Sequence, residues 1–284
     1  MLTTAARIVS LLPSATEFVC ALGLQDRLVG ISHSCDYPPS IAHLPRLTRP
    51  RRDLAGLASA EIDAAVRAAL HEDGSVYEID VPAIQALAPD LVLTQGICDV
   101  CAVPEKQVLG DLGVGIRVLS LDAHDLSAIF ESIKAVARAA GVAERAEPLI
   151  ADMQRRIDAV QKRVAGRARP RVLALEWLDP PYMPGHWVPE LVALAGGELL
   201  AGTKRQPSYR VEWSDLKSLS PDVLLIMPCG FDLAATQREA ARHRVDLRAV
   251  GGRVQLFDAS AYFSRSGPRV VDGLEILASA LHPM

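Results

Sequence analysis

The 284-residue chain lacks most of what would mark it for a particular activity. No run approaches the roughly 20 apolar residues of a membrane-spanning helix, so no insertion into a membrane is expected. A net charge of -4 and a pI near 6.0 leave no basic excess for nucleic acid or anionic lipid. Its only basic run, Arg46, Arg49, Arg51 and Arg52, reads as a solvated loop or as an anion contact. There is no P-loop, nucleophile elbow, HExxH or paired-carboxylate motif in a persuasive context, so the chain is not expected to be an enzyme. Asp36, Asp99, Glu176 and Asp258 read as acids of solvated loops. Gly113 and Gly115 follow a helix and precede a strand, the reverse of a dinucleotide loop, and that motif is set aside. The start shows no basic stretch followed by a clean apolar core and a cleavage site. A cytoplasmic protein is therefore expected, or a periplasmic one if the chain is a trimmed mature form.

What is present is a long helical segment, from about Asp125 to Ala165. Ile129, Ile133, Val136 and Ala140 form one stripe, and Leu149, Met153, Ile157, Val160 and Val164 another, at helical spacing. Gly141 closes the first helix, and Pro148 suits the first turn of the second. The chain on either side repeats itself. Arg7-Ile-Val-Ser-Leu-Leu is matched by Arg171-Val-Leu-Ala-Leu, and Leu87-Ala-Pro-Asp-Leu-Val by Leu219-Ser-Pro-Asp-Val-Leu. Continuous apolar strands alternating with helices predict parallel sheets covered on both faces. The expected fold is therefore α/β, with two Rossmann-like lobes joined by a single long helix and a ligand cleft between them. The lobes span residues 1–142 and 167–284, and the connecting helix spans 143–166.

Aromatic residues make up only 5% of the chain, yet Trp177, Tyr182, Trp187, Tyr209, Trp213, Tyr262 and Phe263 all fall in predicted loops. Rings placed this way line a site for a large flat ligand, or else plug the interface between lobes. In open α/β sheets ligands bind beyond the carboxyl ends of strands, where the loops after Ile31, Thr94, Leu175 and Met227 lie.

Arg7 to Glu17, Cys35-Asp36-Tyr37-Pro38-Pro39, Leu87 to Thr94, the aromatic loop after Leu175, Tyr209 to Ser214 and Ser264 to Gly273 together cover nearly the whole chain in order. In these stretches the chain resembles the class III substrate-binding proteins of ABC transporters, the vitamin B12 and iron-chelate group. It is most similar to their cobalamin-binding, BtuF-like branch. The resemblance implies a corrinoid such as cobalamin as ligand and an ABC transporter permease as partner. It places Tyr37, Trp177, Tyr182, Trp213, Tyr262, Phe263 and Arg265 around the ligand, with His186 and Trp187 beside them.

The cysteines invite a different reading. Cys35, Cys98, Cys101 and Cys229 all follow predicted strands, and four thiolates suit zinc or an iron–sulfur cluster. His33 and His186 would add nitrogen ligands, or a lower ligand for a corrinoid cobalt. Free or redox-active thiols and an incidental disulfide, which a reducing cytoplasm disfavours, are the other options. A cytoplasmic metal- or cluster-dependent protein is thus the alternative to a binding protein, whereas Cys20 reads as a buried apolar residue inside a helix.

Overall fold

The computed structural model describes residues 6–96, 103–112 and 116–283. Cys98, Cys101, Gly113 and Gly115 lie outside the described residues. The chain forms two compact units. One comprises Met1–Gly56, Ala64–Ala123 and Ser127–Asp152, the other Leu57–Asp63, His124–Leu126 and Met153–Met284.

Up to residue 164 the elements are β1 (Ile8–Ser10), α1 (Pro13–Ala21), β2 (Leu28–Ile31), β3 (Thr48–Pro50), α2 (Ser59–Asp73), β4 (Tyr77–Ile79), α3 (Val81–Leu87), β5 (Leu91–Thr94), α4 (Glu105–Leu112), β6 (Arg117–Ser120), α5 (Leu126–Ala139) and α6 (Ala146–Val164). From residue 171 they are β7 (Arg171–Leu175), β8 (Trp177–Leu178), β9 (Pro181–Met183), α7 (Val188–Leu194), β10 (Glu198–Leu199), β11 (Tyr209–Arg210), α8 (Trp213–Leu216), β12 (Val223–Ile226), α9 (Leu233–Arg242), α10 (Arg244–Val250), β13 (Arg253–Leu256), α11 (Ala259–Tyr262) and α12 (Val270–Leu281).

Each unit is built on a four-stranded parallel sheet, in the order β2–β1–β5–β6 in the first and β10–β7–β12–β13 in the second. In both, the strand earliest in the chain sits between the second and the third, with the fourth outside. The repeat in the sequence is therefore one topology used twice. Strands β5 and β12 are buried along their whole length, which is why they read as continuous apolar runs.

The repeated Arg and Pro-Asp residues have a shared task. Asp90 N–H donates to Arg7 O (2.9 Å), while the Asp90 carboxylate accepts from Arg7 N–H (2.9 Å) and Ala6 N–H (2.9 Å). Asp222 does the same with Arg171, at 2.8 Å and 2.7 Å. Each arginine in turn caps carbonyls just before its proline: Arg7 Nε reaches Leu87 O (2.7 Å), and Arg171 reaches Leu219 O and Ser220 O (2.9 and 2.8 Å). Ala88 and Ser220 take the left-handed conformation (φ 43° and 45°) that turns the chain into the proline. The pair thus clamps the start of one strand to the start of its neighbour and satisfies groups that would otherwise be orphaned.

Both helical stripes face inward. Ile129, Ile133, Val136 and Ala140 are buried, as are Met153, Ile157 and Val160, with Ile150 joining them, while Leu149 and Val164 at the two ends of the second stripe are only half-buried. Gly141, at φ 71°, ends α5 with the paired bonds Gly141 N–H to Arg138 O and Val142 N–H to Ala137 O. Helix α6 runs 19 residues, about 28 Å, and carries residues of both units. Residues 40–80 contain more order than their turn-rich sequence suggests: β3 and β4 pair antiparallel on either side of α2. Here the arginine run is matched by acids, with Arg49 and Arg51 against Glu78 (2.5 and 3.3 Å) and Arg52 against Glu72 (2.5 Å).

One expectation is corrected. Trp177, Tyr182 and Tyr209 lie on strands, in an antiparallel sheet ordered β11–β9–β8, and Trp213 opens α8. Strands of two or three residues, interrupted by Pro180 and Pro181, are too short to show an alternating pattern.

Candidate ligand-binding site

In the second unit the segments beyond the carboxyl ends of β7, β12 and β13 are knitted together. Cys229 N–H donates to Glu176 O (2.9 Å), Ser260 N–H to Phe231 O (2.9 Å) and Gly230 N–H to Ser264 Oγ (3.1 Å). These bonds gather half-buried Trp177, Tyr182, Phe231, Tyr262 and Arg265 on one rim. Trp177 pairs with Tyr182 across β8 and β9, and the Phe231 ring meets Trp177 edge-on at 5.1 Å. The Trp177 indole N–H donates to Asp179 O (3.2 Å) and Ser59 O (3.3 Å). Arg265 bonds Ser260 Oγ (3.1 Å), and the Arg269 guanidinium lies 5.9 Å from the Tyr262 ring centre.

Behind the rim sits a carboxyl group that the sequence placed in a solvated loop. Glu176 is half-buried, because residues 176–187 fold back as β8 and β9 beside the end of β7. Burial pushes its pKa up to about 7, and the Ser208 hydroxyl and Gly185 N–H only partly offset this. Asp258 is instead the cap of α11, accepting from Ala261 N–H at 2.8 Å.

Trp187 and Phe263 are nearly inaccessible, at 8% and 3% exposure. The Trp187 indole donates to Phe263 O (3.0 Å), and the Phe263 ring meets Phe257 edge-on, so this pair braces the rim from within. Trp213 stacks on His243 with ring centres 5.9 Å apart and packs against the core containing Leu173, Leu216 and Leu224. His186 sits at φ 51°, with Nδ1 3.3 Å from His124 Nδ1. Burial, then the neighbouring His124, lowers the His186 pKa. Phe231 and His124 were missed by sequence reasoning. The one available signal was their place just after a predicted strand.

In the first unit Tyr37 is exposed, 44% of its surface being open to solvent. His33 lines a small pocket with Leu11, Pro13, Ser32, Thr48 and Tyr77. Its Nδ1 is 2.8 Å from Thr48 Oγ1, and burial, then Arg46, lowers its pKa. Cys35 is buried there, with Sγ 3.0 Å from Thr16 Oγ1 and 3.2 Å from Ser32 Oγ. Cys20, only partly buried, has a pKa raised to about 11 by burial, then by Glu17 and Cys35.

The four-cysteine metal site finds no support. Cys35 is enclosed by hydroxyls in the first unit, Cys229 is exposed in the second, and Cys98 and Cys101 lie outside the described residues. Among the described residues no three His, Cys, Asp or Glu side chains are grouped to hold a metal. Nor is any helix among them long and apolar enough to cross a membrane.

Against known proteins, residues 8–246 match the family described as periplasmic binding protein. A vitamin B12-binding protein of Yersinia pestis is 26% identical over 225 residues, 78% of this chain and 69% of its own length. An uncharacterized ABC transporter substrate-binding lipoprotein of Bacillus subtilis is 22% identical over 98% of this chain and 80% of its own length. Among solved structures, the vitamin B12-binding protein BtuF of Vibrio cholerae superposes with a TM-score of 0.70 at 22% identity, covering 98% of this chain and 96% of its own. A periplasmic heme-binding protein of Pseudomonas aeruginosa gives 0.74 at 22% identity, covering 98% and 93%. The fold is theirs. These matches are to binding proteins, not enzymes. They also correct the expected cytoplasmic location, because the family is periplasmic and the Bacillus relative is a lipoprotein.

Proposed function

The chain belongs to the periplasmic binding protein family, and from that premise we propose that it captures a corrinoid of the cobalamin type for an ABC transporter permease. The observation that carries this reading is the knitted rim of the second unit, with Trp177, Tyr182, Phe231, Tyr262 and Arg265 on segments held together by hydrogen bonds between three strand ends. Half-buried aromatic faces with polar groups at the edge suit a broad, flat macrocycle fringed with amides. The proposed contacts are Trp177, Tyr182, Trp213, Tyr262 and Arg265, with His186 available as a nitrogen ligand. Buried Trp187 and Phe263 act by holding the rim. The vitamin B12-binding relative and structural neighbour support the choice of ligand.

Heme is the second reading, favoured by the Pseudomonas neighbour, whose superposition scores higher. Separate titrations with cyanocobalamin and hemin, followed by calorimetry and absorption, distinguish the two. Saturable 1:1 binding of cobalamin is expected. Trp177→Ala should weaken it by about 1–3 kcal/mol, with Trp177→Phe retaining most of the affinity. Saturation by hemin alone replaces the corrinoid with heme, and no binding of either rejects the site.

A further inference from the structure

We propose that His124 and His186 form a binding site for a divalent first-row metal ion, zinc being the probe, at an exchangeable position in the second unit. Their Nδ1 atoms stand 3.3 Å apart. Two imidazoles bound to one tetrahedral zinc at about 2.0–2.1 Å have nitrogens about 3.3–3.4 Å apart, so the pair already spans one edge of that tetrahedron. The ring planes are inclined by 34° with centres 5.4 Å apart.

Both histidines are held in place from outside the pair. His186 occupies the left-handed region at φ 51°, a conformation unusual for a non-glycine residue and sustained only when its surroundings impose it. Its N–H donates to Gln206 O (2.8 Å) and its carbonyl accepts from Arg205 N–H (3.0 Å). The segment carrying His124 is tied down by Leu126 N–H on Glu190 Oε2 (3.1 Å) and by Asp125 against Arg205 (3.4 Å). Glu190 also holds Lys204 at 2.7 Å, so the nearby carboxylates already have cationic partners.

No third His, Cys, Asp or Glu among the described residues joins the pair. Water or small ligands must therefore fill the remaining positions, and the ion is open to exchange. A direct N–H···N bond between neutral rings is the arrangement that competes with metal.

The test uses tag-free, metal-stripped protein titrated with Zn²⁺ alone by calorimetry and by equilibrium dialysis. One ion per chain is expected. His124→Ala and His186→Ala should each lower the affinity at least about tenfold, whereas His71→Ala, an exposed residue of α2, should leave it unchanged. Circular dichroism of each variant separates lost ligation from lost fold, and His124→Gln supplies a polar replacement if alanine destabilises the loop. Cu²⁺ bound to the wild type should show nitrogen hyperfine structure that either substitution removes. No saturable ion in the wild type, or affinity unaltered in both histidine variants, overturns the proposal and leaves a hydrogen-bonded pair. No corrinoid or heme enters this experiment, so its failure is separable from failure of the ligand reading.

Discussion

Replacing Glu176 by glutamine isolates the cost of one half-buried carboxylate. The folded pKa of Glu176 is about 7 against an ordinary 4.5, chiefly because burial penalises its charged form. Here the folded state holds the proton more tightly than the unfolded chain. The stability linked to that proton is complete below about pH 4.5 and is lost as pH rises through 7. At about 1.36 kcal/mol per unit the shift amounts to about 3 kcal/mol. Glutamine matches the protonated acid in shape, can still accept from Ser208 or Gly185, and does not titrate. The difference in stability between Glu176→Gln and wild type should therefore move in favour of the variant by about 3 kcal/mol between pH 4.5 and 8. Urea unfolding followed by tryptophan fluorescence reports this directly, since Trp177, Trp187 and Trp213 all belong to the second unit. Taking the difference at each pH cancels the other titrating groups. A difference that stays constant across this range refutes the half-buried carboxyl and the folding of β8 and β9 that encloses it.

The same enclosure makes Gly185→Ala destabilising by about 1–3 kcal/mol. A Cβ there would lie 2.3 Å from Gln206 O and 2.5 Å from Ser208 N, both backbone atoms, and urea unfolding reads the loss. Asp90→Ala should cost about 1–3 kcal/mol and Asp222→Ala rather less, because the first removes two charge-assisted bonds and the second one; thermal unfolding ranks them. His33 has a lowered pKa, from burial and then Arg46, so the unfolded chain takes the proton first. Stability should fall as pH drops below about 6.5, and calorimetric melting from pH 7.5 to 5.5 should show a flatter profile for His33→Asn.

How far the sequence speaks depends on how local the cause is. The inward stripes of α5 and α6, Gly141 at the end of α5 and the fully buried strands are written in spacing, because a helix or a doubly covered strand repeats its environment every few residues. The Arg and Pro-Asp repeat was equally legible, since each copy clamps one strand start to the next in the same way. The resemblance to a binding-protein family came through the same ordered landmarks. Other features needed the tertiary structure. Glu176 is withdrawn from solvent in part only when β9 and Ser208 close over it, and Phe231 reaches Trp177 only because β12 lies beside β7. Cys35 is taken out of any cysteine cluster by Thr16, 19 residues earlier. His124 meets His186 across 62 residues of chain. Such pairings leave no periodic trace, because their energy arises between segments that only the completed sheet brings within a few ångströms of each other.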